Sequence, residues 1–234
     1  TIAWSLTIFL DPPLQYVMWT ILIIFDTLIP FTKGRGNTIT LLNPKHYQER
    51  LGLFVLLVMG ESVLVVAITG GISGTLKGLE AGVIAASGLV MLSALWWLYF
   101  PYIENIAFGK RPRNLMLYSY SHLFFFLAII LLAVGIKEFI GDAKGTTDLA
   151  VNSFILVSLL LSVISFNIIK YAMGQLYRDC LTIPIKACVL ILALFGLFTY
   201  FEMPGLLTLA ALAFGFCVYA LFENKHEHTH DHSH

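Results

Sequence analysis

Charge is what this chain has least of. Only 12% of its 234 residues are Asp, Glu, Lys or Arg, about half the share carried by ordinary soluble domains, so a conventional water-facing surface is excluded. Lys plus Arg number 14 and Asp plus Glu also 14, for a formal net charge of zero. A protein that neutralises nucleic-acid phosphates needs a cationic excess, so no nucleic-acid partner is expected. Cysteine is scarce too. Cys180, Cys188 and Cys217 lack paired spacing, which argues against a disulfide framework or a metal knuckle. The sequence contains no P-loop, no dinucleotide-binding glycine pattern and no nucleophile elbow. Energy from ATP, if used, therefore comes from another chain. A basic n-region followed by a cleavage site is also missing.

What the chain has in abundance is long apolar sequence. Hydrophobic residues make up 58% of it and the mean hydropathy is +0.83. Crossing a bilayer takes about 17–25 apolar residues in a helix. Stretches of that length lie at 14–32, 48–70, 78–102, 115–137, 149–171, 183–201 and 205–222. An earlier apolar fragment, Thr1 to Leu10, is too short to cross and begins without methionine, so a helix cut by the start of this chain is expected. Strands of a membrane barrel would be about 10 residues long with alternating polarity, and a lipid-exposed backbone otherwise satisfies itself only as a helix. The predicted fold is all-α: a polytopic transmembrane helical bundle of seven full spans plus a truncated N-terminal helix. Residues 1–222 form the helical domain and 223–234 a His-rich, unordered cytoplasmic tail.

Alternating the spans puts Lys33, Arg35, Lys45, Arg50, Lys110, Arg111, Arg113, Lys170, Arg178, Lys186 and Lys225 on one side and leaves Lys77, Lys137 and Lys144 on the other. By the positive-inside rule the richer side, with the C-terminus, is cytoplasmic. Small residues such as Gly60, Ala85-Ala86-Ser87-Gly88 and Ala210-Ala211 suit close helix approach in lipid.

Few polar residues interrupt the spans. Glu61 lies in the middle of Leu53-Phe-Val-Leu-Leu-Val-Met-Gly-Glu-Ser-Val-Leu-Val-Val-Ala-Ile68. At 1.5 Å per residue it sits roughly 20 Å into its helix, too deep to snorkel. A charged side chain there costs at least about 2.5–3.5 kcal/mol and marks ion, proton or ligand handling by default. Arg50, Phe54, Leu57 and Glu61 share one helical face. Gly60 and Ser62 beside the acid offer space and a hydroxyl. Glu49-Arg50 reads either as a helix-start acid beside a topogenic arginine or as a gate below Glu61.

Asp26 is shallower. Pro30, four residues on, has no N–H to give the Asp26 carbonyl. His122 lies one helical turn beyond Tyr118 on the same face. Imidazole changes charge readily near neutrality, so a proton relay from Asp26 and His122 to Glu61 is a reasonable expectation. Trp96, Trp97, Tyr99 and Tyr102 read as an interfacial aromatic belt.

The segment His46-Tyr-Gln-Glu-Arg-Leu-Gly-Leu-Phe-Val-Leu-Leu-Val-Met-Gly-Glu-Ser-Val-Leu-Val66, with Trp96-Trp-Leu-Tyr-Phe100, Tyr120-Ser-His-Leu123 and Ala133-Val-Gly135, resembles the bacterial low temperature requirement A (LtrA) family. The resemblance implies a multi-pass protein of the bacterial inner membrane, associated with growth in the cold. It implies a set of motif positions, namely His46, Glu49, Arg50, Glu61, Ser62, Trp96, Trp97, Tyr99 and His122, but no substrate.

The tail Lys225-His-Glu-His-Thr-His-Asp-His-Ser-His234 is a separate signal. His226, His228, His230, His232 and His234 offer imidazole nitrogen to Zn, Ni or Cu. No other cofactor is expected. Together the residues predict a channel or secondary transporter, possible coupling ions including the proton, with Glu61, Asp26, His122, Arg50, Ser62, Glu49, Tyr118 and His46 at the translocation site and the lipid bilayer and a small ion as partners. Two readings of other classes stay open: an intramembrane acid–base or metal-dependent enzyme acting on a lipophilic substrate, and a membrane stress sensor that transports nothing.

Overall fold

The computed structural model describes residues 2–33, 43–72, 78–104, 112–141, 149–173, 182–200 and 205–231, and among these there is no strand. The chain divides into two units, Thr1–Asn43 and Pro44–His234.

In the first unit, helix α1 (Ile2–Leu6) and a 3-10 turn (Thr7–Phe9) precede helix α2 (Pro12–Lys33). Prolines at the first positions of α2 cost nothing, because those N–H groups have no helical acceptor anyway. The Trp19 indole donates to Thr7 Oγ1 at 2.8 Å, and that hydroxyl donates to the Trp4 carbonyl, also at 2.8 Å. The apolar fragment thus folds back along α2. Pro30 falls within the helix, which continues to Lys33.

The second unit holds α3 (Pro44–Ile72), α4 (Gly78–Glu104), α5 (Pro112–Gly141), α6 (Leu149–Ala172), α7 (Thr182–Tyr200) and α8 (Gly205–Asp231). Each coincides with a predicted apolar stretch. Among the described residues five helices, α2 to α6, are long and apolar enough to cross a membrane, and α7 and α8 carry the shorter apolar segments Pro184–Leu197 and Leu207–Glu223. Helix α8 runs on through Asp231, so its backbone passes the boundary expected at 222–223 without a break.

Neighbouring helices pack in the order α4, α5, α6, α7, α8, and α8 returns to α4. That order closes a ring. Helix α3 lies outside it, packed on α4 and α5. The buried side chains Val55, Phe125, Ile129, Leu132, Ile136, Leu159, Phe166 and Phe216 fill the unit. Lipid tails offer a bundle no hydrophobic drive, so its helices hold by close packing and a few polar contacts. Packing is close at two glycines. A Cβ on Gly88 would lie 2.6 Å from Ile136 Cδ1, and one on Gly135 would lie 2.8 Å from Ile155 Cγ1. Gly60 has nothing within 4 Å of that position. The close approach expected at Gly60 is therefore absent among the described residues, because it stands on the open side of the peripheral helix.

Candidate functional site

One face of α3 enters the unit and the opposite face does not. Gln48, Val55, Val58, Met59, Ser62 and Val66 are buried, at the three- and four-residue steps of a helical stripe. Arg50, Phe54, Leu57 and Glu61 are exposed. Their shared face is real, and it is the outward one. Glu61 makes no hydrogen bond or ion pair among the described residues, whereas Ser62 points inward and donates to the Val58 carbonyl of its own helix at 2.8 Å. Ser62 is thus a satisfied packing residue and not a partner of Glu61. At the start of α3, His46 Nδ1 lies 3.3 Å from Glu49 Oε2, both side chains exposed.

His122 takes the opposite situation, with no exposed surface at all. Its Nδ1 lies 2.7 Å from the Tyr118 carbonyl, and its Nε2 lies 2.8 Å from the Tyr99 hydroxyl of α4. A carbonyl only accepts, so Nδ1 carries the proton. In the neutral ring Nε2 then accepts from the Tyr99 hydroxyl. Were Nε2 to take a proton, the same hydroxyl could accept from it by rotating, so both charge states keep two hydrogen bonds. Rings surround the imidazole: Tyr118 at 4.2 Å, Tyr99 at 5.7 Å and Phe126 at 6.1 Å between centroids. Tyr99 in turn stacks on Phe125 at 5.2 Å.

The aromatic belt expected for four residues is divided. Trp96 and Trp97 are exposed, as a belt requires, but Tyr99 and Tyr102 are buried in the core. Tyr99 lies two and three residues, and Tyr102 five and six, beyond the two tryptophans, which turns the tyrosines toward another face of the helix.

Other polar contacts gather at the same end of the unit, where α3 and α5 begin and α4 and α6 finish. Ser119 Oγ donates to the Leu115 carbonyl at 2.7 Å, so the Tyr47 hydroxyl, 2.7 Å away on α3, donates to Ser119. Gln48 Nε2 donates to the Ile103 carbonyl at 2.8 Å, satisfying an acceptor in the last turn of α4 that has no helical donor.

The most polar contact is one that no motif in the sequence announces. Lys170 Nζ of α6 lies 2.7 Å from Glu223 Oε1 of α8, with each side chain 3% exposed. The ammonium also stands over the Tyr102 ring of α4, 4.7 Å from its centroid, and 5.6 Å from that of Phe166. By position along the chain Lys170 counts among the charges flanking a span, and Glu223 among residues of the tail. Helical spacing carries the signal: Leu209, Leu212, Phe216, Ala220 and Glu223 recur on the buried face of α8.

A family model described as "Bacterial low temperature requirement A protein (LtrA)" matches residues 1–229. The chain belongs to the LtrA family. With its apolar helices, this LtrA chain is a multi-pass helical membrane protein. No curated protein and no solved structure matches it. The segments through which the chain resembles LtrA proteins occupy distinct places: His46 and Glu49 at the exposed start of α3, Tyr99 and His122 together in the core, Gly135 where α5 meets α6.

Asp26 belongs to the other unit of the LtrA chain, where its Oδ2 accepts from the Trp4 indole at 2.9 Å. Among the described residues, no three His, Cys, Asp or Glu side chains stand close enough to hold one metal ion. His226, His228 and His230 fall within the backbone bounds of α8, but the five tail histidines' side chains lie outside the described residues.

Proposed function

We propose that this protein is a proton-linked secondary transporter or channel for a small ion in the bacterial inner membrane. It crosses seven times, α7 and α8 included, with the Lys- and Arg-rich ends of its helices and its C-terminus in the cytoplasm. The observation that carries the reading is the His122–Tyr99 pair. An apolar bundle gains nothing in packing from an imidazole that a phenylalanine would not supply, and ionisable groups at such positions mark proton or ion pathways by default. This imidazole can bind or release a proton at Nε2 without losing either hydrogen bond, which suits it to repeated cycles. Tyr118 orients it through the backbone carbonyl. Glu61, on the outward face of α3, is the second proton-exchanging group, while His46, Glu49 and Arg50 at the mouth attract and release the ion. Ser62 supports the fold of α3 beside Glu61, and Asp26 supports the fold of its own unit.

The test is flux in liposomes containing the purified full chain and an entrapped pH-sensitive dye. His122→Gln and Glu61→Gln are each expected to lower proton-linked flux at least tenfold while the proteins remain folded. Wild-type flux in His122→Gln would remove the pair from the mechanism.

A further inference from the structure

The Lys170–Glu223 pair is unlike any other contact among the described residues. Withdrawing a cation and an anion from water costs several kcal/mol per ion, which their attraction recovers only with good geometry and further hydrogen bonds. Here those extra bonds are incomplete. Glu223 Oε2 is buried without a hydrogen-bond partner among the described residues. Around the ring of helices, α6 and α8 are separated by α7, so the pair reaches across and does not staple neighbours.

The two partners also differ in their alternatives. Lys170 lies in the last turn of α6, where a cation is favoured by the exposed carbonyls and the helix dipole. Its flexible stem lets the ammonium swing to that end of the helix and reach water. Glu223 closes the apolar segment Leu207–Glu223 of α8, and its shorter side chain is 3% exposed. When the lysine leaves, the carboxylate must be neutralised where it stands.

We propose that Glu223 is a proton-binding site of this protein, taking a proton in exchange for the Lys170 ammonium. In the step, a hydronium proton bonds to a carboxylate oxygen, the Nζ–H···Oε1 contact breaks, and Lys170 moves still protonated to the end of α6. The proton is the fitting occupant because it needs only the carboxylate. A metal ion would ask for several more oxygens, and the rings of Tyr102 and Phe166 line the ammonium's position instead. Among the described side chains, the titratable and charged groups on the surrounding helices are Glu80, Tyr99 and Tyr102 of α4, Lys170 and Tyr171 of α6, Lys186, Cys188 and Tyr200 of α7, and Cys217 and Tyr219 of α8, of which Glu80, Tyr171, Lys186 and Tyr200 are exposed. None of the buried ones is a second carboxylate that would take the proton first. The consequence is a proton-operated link between α6 and α8, which goes beyond the His122–Tyr99 pair and uses different helices.

Infrared difference spectroscopy on the full chain in lipid, titrated with acid, reads proton binding directly and without any flux. A protein that transports nothing would leave this result untouched. Among the carbonyl bands of its protonated carboxyl groups, the wild type is expected to gain one that is lost in Glu223→Gln and kept in Glu61→Gln. In Lys170→Met the band is expected already at neutral pH. Should the single variants fail to fold, the double variant Lys170→Met/Glu223→Leu, which leaves no buried charge, is expected to fold and lack the band. Survival of that one band in Glu223→Gln or in the double variant overturns the proposal. So does its absence from the wild type throughout the folded pH range, and so does displacement of Lys170 by sodium or potassium alone, detected as a Glu223-dependent shift of the carboxylate bands at constant pH.

Discussion

At the scale of single residues, what matters is whether a buried polar atom keeps a partner when its neighbour changes. Tyr99 and Tyr47 each donate a hydroxyl to another helix, but the acceptors differ. Removing the Tyr99 hydroxyl leaves His122 Nε2 without its partner in a site with no exposed surface, and an unsatisfied buried group costs about 1–3 kcal/mol. Removing the Tyr47 hydroxyl leaves Ser119 still bonded to the Leu115 carbonyl, so only an ordinary hydrogen bond of about 0.5–1.5 kcal/mol is lost. Tyr99→Phe is therefore expected to be the more destabilising of the two in denaturant unfolding of the protein in micelles. The reverse order would mean that His122 finds another donor. His122 and Tyr118 are legible as a pair from their four-residue spacing. Tyr99 as the third member is not, since its spacing to Trp96 and Trp97 looks interfacial and nothing local reveals which helix lies opposite.

At the scale of elements, glycine decides how closely the helices meet. The Gly135 position faces Ile155 Cγ1 at 2.8 Å and the Ile155 backbone nitrogen at 3.4 Å, so an added methyl has to move a helix as well as a side chain. Overpacking of that kind typically costs about 1–3 kcal/mol. Gly135→Ala is expected to destabilise by that amount. Gly60→Ala meets nothing and is expected to be neutral or stabilising by up to about 1 kcal/mol, the helical cost of glycine. Equal losses at the two positions, measured by the same unfolding transition, would contradict the packing described for α3 and α5. Hydropathy finds the helices because length and apolarity are local properties of a segment. It does not tell which glycine faces a neighbour, nor that α3 stands outside the ring, because both depend on contacts between helices distant in sequence. The stripe from Arg50 to Glu61 shows the limit clearly: periodicity groups the residues correctly and leaves open whether the group faces the core or the lipid.

At the scale of the whole molecule, α8 is tied to α6 by the Glu223–Lys170 ion pair. The sequence beyond Glu223 is rich in histidine. His226 and His230 are four residues apart within the backbone bounds of α8, the spacing at which one helix face can offer two imidazoles to a single ion. Metal capture there would add charge near the same end of the bundle as the ion pair. We expect deletion of residues 225–234 to leave basal flux and the unfolding midpoint within error of the full chain, because none of the core side chains or interhelical contacts among the described residues is removed. Added zinc is expected to change flux in the full chain and not in the shortened one. Loss of basal flux on deletion would make the tail part of the translocation machinery, and an undiminished zinc response would move the metal site back into the membrane unit.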